Sequence, residues 1–209
     1  MHSFKQCLMK ERVVFIDIDD TIVNGAIAEG IGIAALRQTR GSVKACATLK
    51  ALQVKSGAYL FGETWALRVL VKSLKKAGFT KSDIEKFSES YIDRKIKPGA
   101  EKFLRDVSEN SDLVILTTGF NTGLEMLEKK YSLNLVGKIS NELVYNGNNE
   151  IVSSNILYND KNIVRRVSEI ASDYDTGVVI DDRPGRYFEI NGHNDMLVYK
   201  SIVDFKKNQ

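Results

Sequence analysis

Runs of consecutive apolar residues alternate with segments of helical period along most of the chain. Residues 13–16, 113–116 and 178–180 are each continuously apolar, which is typical of short strands buried on both faces of a sheet. This alternation of strands and helices predicts an α/β fold with a mainly parallel sheet. Stripes of helical period flank these runs, at Ala100, Phe103, Leu104 and Val107, at Leu124, Leu127 and Tyr131, and at Ile163, Val164, Val167 and Ile170.

A predominantly helical segment interrupts the alternation after the first predicted strand. It follows a turn signal, the Asn-Gly pair at residues 24–25, and its residues 67–74 place four apolar side chains on one helix face. Thr80 and Asp83 have the spacing of a capping box, which predicts the start of another helix. The Lys-Pro-Gly sequence at residues 97–99 marks the return to the α/β alternation. The segment between these signals is therefore predicted to be a small helical bundle.

A hairpin and one further strand are predicted in the second half of the chain. Residues 144–152 have the pattern of a β-hairpin with Asn146-Gly147 in or near its turn. Residues 196–199 are apolar and predict a possible edge strand.

Composition is that of an ordinary globular chain, and it narrows the possible partners. The 209 residues are 43% apolar and 27% charged, and the net charge of +3 is dispersed, which argues against a nucleic-acid-binding stripe. Cys7 and Cys46 are isolated and predict free thiols in a reducing compartment. No run approaches the length of a membrane span, so we expect a cytoplasmic protein with no membrane partner.

Candidate chemistry lies where the three apolar runs end. In a parallel sheet these ends meet at one edge, where α/β proteins bind their ligands. Neighbouring carboxylates repel one another unless a cation compensates, and hard oxygen ligands favour Mg²⁺. The residues at these ends are Asp17 and Asp19, then Thr117, Thr118 and Gly119, then Asp181 and Asp182.

A carboxylate beside Mg²⁺ can act as a nucleophile toward phosphorus. This chemistry suits Asp17 for attack and Asp19, two residues on, for proton transfer to the leaving alcohol. Thr117 can donate its hydroxyl to the phosphoryl group, and the backbone amides of Thr118 and Gly119 can add donors at the start of the next helix.

Lys161 is a second candidate for phosphate binding. It lies at the beginning of a predicted helix, where the helix dipole disfavours a cation by a few tenths to about 1 kcal/mol. A lysine in that place suggests a nearby anion, and the alternative is a side chain that faces solvent.

Together these residues resemble the four ordered motifs of the haloacid dehalogenase superfamily. The motifs match Asp17-x-Asp19-x-Thr21, Thr117 after an apolar strand, Lys161 at a helix start, and Asp181-Asp182. The chain is most similar to the phosphoserine-phosphatase-like branch, in which the loop after the second motif strand reads Ser-Gly-Gly-Phe and a helical cap follows the first strand. Here that loop reads Thr-Thr-Gly-Phe at residues 117–120.

The resemblance implies a doubly wound Rossmann-like core at residues 1–24 and 97–209, with an α-helical cap at residues 25–96. It implies that Asp17 is nucleophile and metal ligand. Asp19 would be the general acid/base and would bind Mg²⁺ through its backbone carbonyl. The remaining roles it implies are phosphoryl binding by Thr117 and Lys161, and metal binding by Asp182 with support from Asp181.

The sequence departs from the family pattern in three places. Asp20 replaces a small residue of the first motif, and Arg186 stands where a third acid often follows, which predicts weaker Mg²⁺ binding or support from Glu189. In phosphoserine phosphatases a Glu soon after the first motif faces the substrate amine. Ala26 holds that position here, with Glu29 one turn later, so phosphoserine is not favoured as the substrate.

The leading hypothesis is a Mg²⁺-dependent phosphatase that hydrolyses a small phosphorylated metabolite through an aspartyl-phosphate intermediate. A phosphotransferase or mutase would use the same residues. A catalytically degenerate binding protein and a phosphorylation-controlled receiver are the non-enzymatic alternatives. The order of the acids along the chain argues against a receiver.

Overall fold

A six-stranded sheet forms the centre of the protein, whose computed structural model describes residues 10–38, 62–190 and 195–208. Neighbouring strands follow the order β4-β3-β2-β1-β5-β6, and every pair is parallel except β3 with β4. The first strand therefore lies in the middle of the sheet, as expected for a segment that is apolar on both faces. The strands are β1 (Lys10–Asp17), β2 (Asp112–Phe120), β3 (Leu135–Tyr145), β4 (Ile151–Asn155), β5 (Tyr174–Ile180) and β6 (Asp195–Tyr199).

Helices connect the parallel strands and begin where the sequence signals predict. Gly99 has a φ of 78° directly before α4, a left-handed conformation that favours glycine. The capping box of Thr80 and Asp83 is present at the start of α3. The helices are α1 (Ile27–Gln38), α2 (Glu63–Lys76), α3 (Lys81–Lys95), α4 (Ala100–Asn110), α5 (Asn121–Tyr131), α6 (Asp160–Ala171) and α7 (Ile202–Lys207), with a 3₁₀ helix at Pro184–Ile190.

Different helices cover the two faces of the sheet, so the fold is doubly wound. Val14 and Ile16 point to the face that packs against α4, α5 and α7. Val13 and Phe15 point to the opposite face, which packs against α6 and the 3₁₀ helix. The predicted α/β class and mainly parallel, Rossmann-like sheet are confirmed. Within the described ranges, no helix is both long enough and apolar enough to span a membrane.

The helices α1, α2 and α3 lie between β1 and α4 in the chain and share one apolar cluster with the sheet. Two backbone connections, which lie side by side, join this helical insertion to the rest of the protein. The amide of Asn24 donates to the carbonyl of Lys95 at 2.8 Å, and the amide of Lys97 donates to the carbonyl of Ile22 at 2.9 Å.

The predicted hairpin and edge strand are both present. β3 and β4 pair antiparallel, and β6 pairs with β5 at one edge of the sheet. The hairpin also touches the helical insertion, because the amide of Lys81 donates to the carbonyl of Asn149 at 2.8 Å.

The strands β1, β2 and β5 are all longer than their apolar runs. β1 begins at Lys10, where it pairs with Tyr174, and β2 continues to Phe120, which pairs with Asn141 of β3. Backbone pairing does not require apolar side chains, so these extensions leave no hydrophobic signal. Cys7 and Cys46 lie outside the described residues.

Candidate active site

The ends of β1, β2 and β5 meet at one edge of the sheet. In the parallel ladder, Ile16 pairs with Ile115 on one side and with Ile180 on the other. The polar residues that follow these three positions are therefore neighbours in space. The amide of Asp182 donates a hydrogen bond to Thr21, although more than 160 residues separate the two along the chain.

Three carboxylates form an acidic cluster at this edge. Asp17, Asp181 and Asp182 each place a carboxylate oxygen within 4.8 Å of the others, and the Asp17 and Asp181 side chains are buried. Burial, reinforced by the charges of Asp181 and Asp19, raises the pKa of Asp17 well above its ordinary value. Burial and the charge of Asp181 also raise the pKa of Asp182. The cluster therefore favours a bound cation.

Arg186 places a guanidinium group among these acids. Its Nη2 lies 3.4 Å from Oδ1 of Asp17 and donates to Oδ2 of Asp181. Its Nη1 donates to Oδ1 of Asp160, the first residue of α6, at 2.6 Å. Tyr187 donates its hydroxyl to the same Oδ2 of Asp181 at 2.8 Å. The guanidinium of Arg186 thus supplies a positive charge within the acidic cluster.

Asp19 is held by both of its carboxylate oxygens. Oδ1 accepts from the amide of Ile27 at the start of α1 at 2.9 Å, and Oδ2 accepts from the hydroxyl of Thr117 at 2.6 Å. The Thr117 oxygen also accepts from the amide of Gly119 at 2.8 Å. The two predicted phosphate donors, Thr117 and Gly119, are therefore hydrogen-bonded within the site.

Thr21 and Asp20 have local structural roles in the turn after β1. The hydroxyl of Thr21 donates to Oδ2 of Asp17 at 3.3 Å and accepts from the amide of Asp182 at 2.9 Å, which fixes the two acidic loops together. Asp20 is exposed and has a φ of 60°, and its carboxylate accepts from the amide of Gly25 at 2.7 Å. The carboxylate of Asp20, which is the extra charge of the first motif, thus stabilises the turn after β1.

Lys161 is exposed at the second position of α6. Among the residues that the structure describes, no hydrogen bond or ion pair joins Lys161 to the acidic cluster or to Thr117. Its predicted contact with a phosphoryl group stays a prediction. The side chain of Glu189, the other predicted support for a metal, lies outside the described residues.

Asn141 is a site residue that the sequence reasoning missed. It is fully buried in β3, and its Nδ2 donates to the carbonyls of Thr118 at 2.6 Å and Tyr158 at 3.0 Å. Its Oδ1 accepts from the amides of Leu157 and Tyr158, both at 2.8 Å. One side chain thereby holds the end of β2 and the segment that leads into α6. The available signal was a polar residue at an inward position of an alternating strand.

The donor set of the acidic cluster suits a hard divalent cation. Carboxylate oxygens of Asp17, Asp181 and Asp182 are the ligands that Mg²⁺ takes in proteins, and the cluster lacks the imidazole and thiolate ligands that favour zinc. The guanidinium of Arg186 opposes such an ion, because it already contacts two of the three acids.

Comparison of the sequence with protein-family models gives no match, and comparison with curated proteins gives none either. The structure, in contrast, resembles solved phosphatases. A phosphoserine phosphatase captured as a phospho-aspartyl intermediate analogue aligns over 95% of this chain and 99% of its own, with a TM-score of 0.62 and 15% identity. The phosphoserine phosphatase of T. onnurineus aligns over 99% of both chains, with a TM-score of 0.54 and 17% identity.

A hydrolase of the haloacid dehalogenase family from Salmonella enterica serovar Typhi also has a similar structure. It aligns over 97% of this chain and 67% of its own, with a TM-score of 0.64 and 17% identity. These likenesses establish that the chain has the same fold as these two phosphoserine phosphatases and this hydrolase. At such low identity they establish the fold alone.

Proposed function

We propose that this protein is a Mg²⁺-dependent phosphatase that hydrolyses a small phosphomonoester through an aspartyl-phosphate intermediate on Asp17. The observation that supports this function best is the buried carboxylate of Asp17, which shares an acidic cluster with Asp181 and Asp182 at the carboxyl edge of the sheet. The proposal is also supported by the fold, which resembles that of solved phosphoserine phosphatases, and by the general tendency of open α/β sheets to bind ligands at this edge.

In the proposed reaction, an Asp17 oxygen attacks phosphorus as the bond between phosphorus and the leaving oxygen breaks. Protonated Asp19 gives its proton to the departing alcohol. In the second half, Asp19 accepts a proton from the water that attacks phospho-Asp17, and inorganic phosphate leaves. The hydrogen bond from the Ile27 amide to Oδ1 of Asp19 fixes the carboxyl group for both transfers.

The predicted metal and phosphate ligands keep their roles in this proposal. Bound Mg²⁺, held by Asp17 and Asp182 with Asp181 beside them and by the Asp19 carbonyl, would supply the positive charge that offsets repulsion between carboxylate and phosphate. Thr117, the amides of Thr118 and Gly119, and Lys161 would bind the phosphoryl oxygens. Thr117 can do so only by turning its hydroxyl away from Asp19, so phosphate binding frees the acid.

We assign residues 1–24 and 97–209 to the catalytic core and residues 25–96 to a helical cap that shapes the substrate pocket. The support is that α1, which follows the first motif, begins at the Asp19 carboxylate. We expect the substrate to be a small phosphorylated metabolite of the cytoplasm.

The test is hydrolysis of p-nitrophenyl phosphate in Mg²⁺ and in EDTA, because an aryl phosphate probes the chemistry independently of substrate specificity. We expect metal-dependent turnover that falls by about 10³-fold or more in Asp17→Asn. Asp106→Asn, on the exposed side of α4, is the matched control and should keep its activity. Equal turnover in Asp17→Asn and the intact protein would refute the proposal.

A further inference from the structure

Arg186 is an unusual neighbour for a metal-binding cluster because its side chain is buried and already forms ion pairs with acidic residues. Its side chain is 9% exposed, and it contacts Asp17, Asp160 and Asp181. Its Nε is buried and has no hydrogen-bond partner among the described residues. A buried guanidinium is costly to desolvate, so these contacts are what hold it in the cluster.

The same two acids cannot serve the arginine and a divalent ion equally well. Nη2 contacts Oδ1 of Asp17 and Oδ2 of Asp181, and these two acids belong to the set that would hold the metal. A guanidinium and a divalent ion held by the same two carboxylates repel each other strongly at low effective dielectric constant. Binding of one therefore disfavours binding of the other.

We infer that Arg186 is a resident cation of the acidic cluster and that a divalent metal binds there only by displacing its guanidinium from Asp17 and Asp181. The inference rests on the metal site of the proposed function, but not on hydrolysis.

Asp160 can stay paired with the Arg186 side chain when the guanidinium is displaced from the cluster. It accepts from Nη1 at 2.6 Å, on the far side of the guanidinium from the Nη2 contacts, and its carboxylate is 46% exposed. A rotation of the side chain can therefore release Asp17 and Asp181 while it keeps the pair with Asp160. Arg186 then exchanges a buried position for one nearer solvent, where its charge is better hydrated.

The experiment is a titration with Mn²⁺, which prefers oxygen ligands as Mg²⁺ does and is detected as free ion by electron paramagnetic resonance. No substrate is present, so the result is separate from any failure of hydrolysis. We expect Arg186→Gln to bind Mn²⁺ at least about tenfold more tightly than the unaltered protein.

The control is Arg183→Gln, because Arg183 lies on the same loop and also contacts Asp160 and Asp182, but it is 42% exposed. If loss of any nearby positive charge tightened binding, both variants would behave alike. We expect the affinity of Arg183→Gln to change less than about threefold. Equal affinity of Arg186→Gln and the unaltered protein, or equal tightening in both variants, overturns the inference.

Circular dichroism shows whether Arg186→Gln is folded. If it is not, a second measurement, on the unaltered protein, tests the inference. Protein labelled with ¹⁵N-arginine has a buried Nε–H signal from Arg186, assigned by its absence in Arg186→Lys. We expect saturating Mg²⁺ to shift this signal or to speed its exchange with solvent. An unchanged signal in protein that has bound the metal would contradict displacement.

Discussion

The surroundings of the Asp17 side chain disfavour its charged form. It is 2% exposed, two other acids lie close, and the net effect of burial and these charges is to raise its pKa, although Arg186 acts in the opposite direction. A carboxyl group with a raised pKa in the folded protein stabilises the fold only where it is protonated. This contribution is complete below the unfolded pKa, near 3.8, and is lost as the pH rises through the folded value.

We therefore expect Asp17→Asn to raise the melting temperature of the metal-free protein at pH 7. The amide keeps the shape of the side chain and removes the charge, and each 1 kcal/mol gained corresponds to roughly 2–4 °C for a chain of this size. The difference should shrink as the pH falls toward 4, where the unaltered carboxyl group is also protonated. Differential scanning calorimetry in EDTA at several pH values measures it. A lower melting temperature at pH 7 would mean that attraction to Arg186 outweighs burial.

Sequence order was sufficient to find the acids of the site but not the contacts they make. Asp17 and Asp181 follow apolar strands, and parallel strand ends meet at one edge, so their proximity follows from topology. The contacts of Arg186 depend on the path of a loop and on side-chain torsions, which no periodic pattern encodes. The sequence shows Arg186 only as a replacement for a third acid, and its burial among three carboxylates could not be predicted.

At the scale of elements, the helical insertion depends on a close contact between α1 and α3. A Cβ added at Gly30 would lie 2.6 Å from Cγ of Tyr91, close to the rigid base of that ring. The ring is fixed in turn, because its hydroxyl donates to the carbonyl of Asn24 at 3.0 Å. Tyr91 thus packs against α1 and also contacts the first backbone connection to the sheet.

We expect Gly30→Ala to destabilise the protein by about 1–3 kcal/mol, the usual cost of overpacking, although alanine favours helix. Gly32→Ala is the matched control in the same helix, since its Cβ would lie 3.4 Å from Cδ1 of Leu70, an ordinary contact. That change should be neutral or slightly stabilising. Urea unfolding of both variants gives the comparison, and equal stabilities would show that the contact with Tyr91 relaxes freely.

Most elements could be predicted because apolar periodicity reflects burial. The stripe of α4 and the run at residues 178–180 are both buried as expected. The exceptions are segments held by backbone or polar contacts. The last residues of β2 are held by pairing with β3 and by Asn141, whose other hydrogen bonds hold residues 157 and 158, and none of these contacts leaves an apolar signal.

At the scale of the whole molecule, the candidate site is assembled at one edge of the sheet from residues of three distant parts of the chain. The first helix of the insertion begins with a hydrogen bond to Asp19, the end of β2 is held by Asn141, and the segment after β5 brings Arg186 to Asp17. Each part packs on the common apolar cluster or on the opposite face of the same sheet. The site therefore forms only when the whole sheet has formed.

The most direct test of the central claim is to identify the residue that carries the phosphoryl group. Asp19→Asn should still react with p-nitrophenyl phosphate, whose leaving group needs no proton, but it lacks the base for the second step. Acid quenching during turnover in Mg²⁺, followed by peptide mass spectrometry, should find one phosphoryl group on Asp17 in this variant and none when Asp17→Asn is added. Turnover without a phosphorylated residue 17, or with the phosphoryl group on another residue, would contradict the account.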